Sequence, residues 1–277
     1  MKVHFFLSLL SALIFGDFLV EGADIGSRTP RTLGGKGKGK SKKSDYSLVE
    51  EALAYAVKAY HEAEIAKGVA YALTSVVYGI DKEVDVLEGI VIKANITVED
   101  YSRALLGEGL LLAASSKATA ISANATIVVA QDMLAWATAS IDTAIAKVEK
   151  QLEYEIKKED LLAALKAALA LLGDAQHALV AATEATDGAQ AAIVGLYDAI
   201  CGVYDAITAA LAAESKVYAH ALLDALDAAG AAVAATDPAV VAIGKAEKTT
   251  NAAYAAIGLA VGGLTAFLDL VAKYYYR

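Results

Sequence analysis

Apolar residues recur along most of this chain in alternating steps of three and four, the spacing that lines one face of an α-helix. The cleanest run is Leu162, Leu165, Leu169, Leu172, Gln176 and Leu179. It reads as the seam of a coiled coil or long bundle and predicts a helix over about 159–185. A second stripe, Ile193, Leu196, Ile200, Val203, Ile207 and Leu211, lies in a segment where YDAI at Tyr197–Ile200 returns one heptad later at Tyr204–Ile207. Tyr218 extends the row of Tyr197 and Tyr204. Upstream, the pattern predicts a long first helix capped by Ser44 or Asp45, then a segment over Asp81–Ala94 that stops at Asn95. Thr97 is the expected cap of the next helix, which runs from Val98 past Trp136 to about Lys157, with Glu99 and Asp100 in its first turn.

Breakers divide the rest. Asp187-Gly188 and Gly230 are expected to end helices, and Asp237-Pro238 to open the last one as N-cap and first helical residue. The sum is an all-α protein: five or six long Ala-rich helices in an up-and-down antiparallel bundle over 45–277, preceded by a disordered basic arm. Composition supports the class. Hydrophobic residues make up 57% of the 277 positions, and Pro30 and Pro238 are the only prolines, so few residues oppose long helices.

The N-terminus changes the picture from a bare bundle to an exported one. Lys2, the apolar stretch Phe5–Gly16 and the small residues Gly22 and Ala23 form a signal-peptide pattern over 1–22. Asp17 and Glu21 cut the apolar run well short of a membrane span. Two sequons, at Asn95 and Asn124, fit a secreted glycoprotein. Cys201 is the single cysteine, so no intrachain disulfide forms and stability must come from packing. Its simplest role is a small apolar residue beside the stripe; an intermolecular disulfide is the alternative.

Charge splits the molecule. From Asp45 onward there are 30 acidic and 16 basic residues, which leaves the body near −14. Arg28, Arg31, Lys36, Lys38, Lys40, Lys42 and Lys43 lie in a Gly- and Ser-rich stretch with no acidic residue. Residues 23–44 are too poor in apolar side chains to order themselves, which predicts a flexible, solvated arm. Its expected partner is an anionic polysaccharide, mineral or membrane surface, bound through residues 28–43. Nucleic acid is not expected, because export and the lack of aromatic residues in the strip both argue against it.

Candidate chemistry is sparse. His61 with Glu64, Asp174 with His177, and His220 with Asp224 fall at helical spacing, but they do not compose the convergent set a bundle metal site needs, and no metal or cofactor is expected. No nucleophile motif or phosphate-cradling loop is present, and Asp198 with Asp205 reads as a solvated stripe, so no enzyme activity is expected. Ala252–Leu268 carries no charge and contains Gly258-x-x-x-Gly262, a pattern that lets helices approach closely in bundles or membranes.

The stretch GKGKGKSKKS (Gly35–Ser44), closely preceded by Arg31-Thr32-Leu33, resembles the lysine-spaced clusters and Arg-x-Leu processing sites of secreted diatom proteins such as silaffins. The resemblance implies that Lys36, Lys38, Lys40, Lys42 and Lys43 contact silica or its organic matrix, with cleavage after Leu33. It does not extend to the helical body. The expected function is therefore that of a secreted, non-enzymatic structural or interaction protein, a bundle tethered by its basic arm and able to self-associate through helix faces. A membrane-active, pore-forming-like protein inserting residues 252–268, and a carrier of an apolar ligand, are the alternatives.

Overall fold

The computed structural model describes residues 46–275. They form four helices: α1 (Ser47–Asn95), α2 (Glu99–Leu152), α3 (Glu159–Ala212) and α4 (Ser215–Tyr275). At 1.5 Å per residue the longest extends about 90 Å. Each helix packs against its neighbours in sequence, and α4 closes the ring against α1. With short connections at 96–98, 153–158 and 213–214, the topology is up-down-up-down. No strand occurs among the described residues.

One rule generates the whole body. Buried positions alternate by three and four without a skip on every helix: Val49, Ala52, Ala56 and so on to Ala94 on α1, and Leu222, Ala225, Ala229 and so on to Val271 on α4. A strict seven-residue repeat keeps the buried seam on a left-handed supercoiled path. Alanine fills many of these seam positions, and Leu, Ile or Val fills most of the others.

Four helices stand where five or six are expected, because the seam overrides the local breakers. Asp81–Ala94 continues α1. Asp187 and Gly188 are both exposed on α3, where Gly costs only about 1 kcal/mol relative to Ala. Pro238 lies inside α4 and opens no helix. It and Ala234, whose carbonyl loses its N–H partner, are both exposed, so the vacated bond faces solvent. Gly230 is likewise helical.

The chain instead turns at Ala213–Glu214, inside a segment without Gly or Pro, where Ala213 is extended at φ −70°, ψ 141°. Tyr218 is thus on α4, not in the row of Tyr197 and Tyr204. The Leu162, Leu169 and Gln176 half of the predicted seam is displaced by one position: Leu161, Ala168 and Ala175 are the buried residues. Leu211 is partly buried beside Ala210 in the same way. Thr97 does not cap α2. Its hydroxyl donates back to the Ala94 carbonyl (3.2 Å), and the cap position is Val98, which makes no side-chain capping bond. The expected caps Ser44 and Asp45 lie outside the described residues; Tyr46 occupies the α1 cap position.

Candidate functional site

The seven basic arm residues, Arg28 to Lys43, and the 1–22 segment lie outside the described residues. The body they join begins at Tyr46, at the end of the bundle where α1 starts and α4 finishes. There Tyr46 packs edge-on against Phe267 (5.5 Å between centroids) and meets Tyr275. Tyr274 donates to Asp160 (2.7 Å), which raises its pKa above the ordinary phenol value.

Asn95 is exposed at the last residue of α1, beside the fully turned-out Ile96. Asn124 sits mid-way along α2, half-buried, with its Oδ1 enclosed and without a hydrogen-bond partner. The two sequons therefore occupy different settings, a helix end and a helix interior.

The opposite end is held by a polar cluster. The Arg103 guanidinium on α2 donates to the carbonyls of Leu211 (2.8 Å) and Ala213 (2.7 Å), the last turn of α3. It also donates to Glu99 Oε1 from Nε (3.0 Å) and Nη2 (2.7 Å), and lies 4.2 Å from the Tyr218 ring centroid. Ser215 donates to the same carboxylate oxygen (3.1 Å). Ser102 gives its one proton to the Ala94 carbonyl (2.7 Å), so the Tyr218 hydroxyl donates to Ser102 (2.7 Å). A cation at a helix C-terminus satisfies orphan carbonyls and the dipole together. The Arg103 guanidinium holds the Glu99 carboxyl below its usual range, with Ser215 adding to the effect.

His61, His177 and His220 are exposed on outer helix faces, with His61 Nδ1 3.7 Å from Glu64. Asp198 and Asp205 are also exposed. Among the described residues no group of three or more His, Cys, Asp or Glu side chains is placed to hold a metal ion. Cys201 is partly covered on α3. Lys117 lies over the rings of Tyr197 (5.7 Å) and Tyr204 (5.5 Å), and its hydrogen bond to the Cys201 side chain raises its pKa.

The Ala252–Leu268 segment contributes Ala253, Ile257, Ala260, Leu264 and Phe267 to the core. Its Gly258 and Gly262 do not act as a pair. A methyl at Gly258 would stand 3.3 Å from the Tyr60 ring, Gly262 faces open space, and Gly263 is the true close approach, where a methyl would come within 2.8 Å of Leu171. Nearby, Tyr60 and Tyr254 stack at 4.5 Å and share a hydrogen bond between their hydroxyls. That bond, helped by burial, pushes the Tyr254 pKa up to about 12.

One groove escapes the sequence reading. Between α1 and α2, Tyr55, Lys58, Trp136, Ser140 and Thr143 line a depression of about 180 Å³. Two of these residues are held by Glu62, 8% exposed, which accepts from Ser140 Oγ (3.2 Å) and pairs with Lys58 Nζ (3.6 Å). Glu62 and Ser140 meet because each flanks the seam of its own helix. A flanking position carries no local mark, so only the lone tryptophan could have drawn attention to it.

No family model, curated protein or solved structure matches this chain.

Proposed function

We propose that this is a secreted, non-enzymatic interaction protein whose basic arm tethers an acidic helical bundle to an anionic extracellular matrix, mineral or membrane surface. The observation that carries the reading is the division of charge: seven cations within Arg28–Lys43, against a body near −14. The acidic body is repelled by an anionic surface, so adhesion falls to the arm. At about 1 kcal/mol per lysine near such a surface, the strip supplies several kcal/mol in low salt, and screening removes it beyond a Debye length. The silaffin-like spacing of Lys36, Lys38, Lys40, Lys42 and Lys43 supports silica or its organic matrix as the target. Glycans at Asn95 and Asn124 and self-association through helix faces belong to the same reading.

The test is retention of the full-length protein on alginate beads and on silica particles, over a salt gradient. Deletion of residues 34–43 should abolish salt-sensitive retention and leave the helical circular dichroism unchanged. Equal retention of the two proteins rejects the tether.

A second reading, membrane activity, draws on composition. Three helices, Glu99–Leu152, Glu159–Ala212 and Ser215–Tyr275, each contain a stretch long and apolar enough to cross a membrane. Insertion would require the bundle to open and exchange its seam contacts for lipid. Dye release from anionic liposomes that survives the deletion of residues 34–43 favours this reading over the tether.

A further inference from the structure

The groove between α1 and α2 brings together two features that packing alone does not explain. Trp136, the only tryptophan in the chain, leaves 56% of its surface exposed, forgoing much of the gain that burial of a large ring brings. Glu62, in contrast, is almost wholly enclosed, although a buried carboxylate is a net burden unless other groups hold it. Trp136 lines the depression, and Glu62, which does not line it, holds two groups that do, Lys58 and Ser140. Glu62 takes the one proton of Ser140 and turns the Lys58 ammonium toward itself. Ser140 is left with lone pairs that can accept, Lys58 with protons that can donate, and the Thr143 hydroxyl, which donates to the Ala139 carbonyl, with accepting capacity as well.

We propose that this groove binds an uncharged polysaccharide, one pyranose ring of which lies against Trp136 and Tyr55. A pyranose with equatorial hydroxyls offers a flat face of C–H bonds and a rim of groups that both donate and accept. An aromatic plate bordered by an ammonium and two hydroxyls, with the ammonium and the Ser140 hydroxyl held by Glu62, matches both surfaces at once. A wholly apolar ligand would cover Lys58 and the Thr143 hydroxyl without satisfying them. A sulfate or phosphate group would face a lysine already paired with Glu62 and the field of the negative body. The site lies on the bundle and does not rest on the arm, so it stands or falls apart from the tether.

The lone tryptophan makes the test selective. The full-length protein is titrated with cellohexaose, laminarihexaose and chitohexaose at high salt, where the arm is screened, while Trp136 emission is followed. A saturable change with at least one of the three is expected, and it should be unaltered by deletion of residues 34–43. By calorimetry, Trp136→Ala should abolish binding, Trp136→Phe should retain part of it, and Glu62→Gln should weaken it roughly tenfold. If Trp136→Ala loses helical structure, Trp136→Phe and Lys58→Ala decide the matter. The proposal is overturned if none of the three sugars produces a saturable change, or if the folded variants bind as tightly as the parent. It is also overturned if binding requires the arm.

Discussion

Arg103 closes a turn that has no closing sequence of its own. Ala213–Glu214 lacks the Gly or Asn that ends many helices, and the carbonyls left open by α3 are taken by a guanidinium more than a hundred residues earlier in the chain. Replacing Arg103 by Ala should cost about 1.5–3 kcal/mol, as expected for charge-assisted bonds to an otherwise unpartnered helix end. A urea melt followed by circular dichroism checks it. The same contact sets a pH dependence. The folded-state pKa of Glu99 is depressed, so its contribution is present above the ordinary value of 4.5 and is lost as pH falls through the lower folded value. Arg103→Ala should therefore flatten the acid limb of thermal stability below pH 4.5 as well as lower the melting temperature at neutrality. An unchanged acid limb in the variant would assign that limb to other carboxylates.

The helices themselves show how much the sequence revealed and where it stopped. The all-α class and the stripe Ile193, Leu196, Ile200, Val203 and Ile207 were legible, because each depends on spacing within one segment. The number of helices was not. Asp187-Gly188 and Asp237-Pro238 are strong local signals, yet both lie on the solvent side, where a seam packed on either flank outweighs them. The turn at Ala213 is held by Arg103 from α2, and no window around Ala213 contains that contact. Ala168 and Ala175 were missed in the α3 seam because Leu169 and Gln176 made a plausible stripe one position away. Since Pro238 is tolerated rather than required, Pro238→Ala should restore the bond to the Ala234 carbonyl. After allowance for the greater freedom of the unfolded chain, it should stabilise the protein by about 2 kcal/mol. A higher urea midpoint with unchanged helicity is the expected result. A loss of stability would mean that Pro238 contributes more by restricting the unfolded chain than it costs in the helix.

At the scale of the whole molecule, the uninterrupted repeat conceals a division. The buried side chains form two clusters, one toward the Arg103 end and one toward the Tyr46 end. The layer between them is built from Ala70, Ala130, Thr186 and Thr250, all buried. Small and polar side chains bury little apolar area, so this waist adds less to stability than the layers on either side. Its two threonines differ. Thr186 donates to the Thr183 carbonyl (2.8 Å), whereas the enclosed Thr250 hydroxyl has no hydrogen-bond partner. An unsatisfied buried hydroxyl costs about 1–3 kcal/mol, and removing it in a side chain of the same shape recovers much of that cost. Thr250→Val should accordingly stabilise the bundle by about 1–2 kcal/mol, while Thr186→Val, which discards a satisfied donor, should gain less. Urea unfolding of the two variants side by side measures the difference. If they gain equally, the benefit comes from apolar area at the waist; if only Thr250→Val gains, the orphaned hydroxyl is the weak point at which the two halves of the rod are joined.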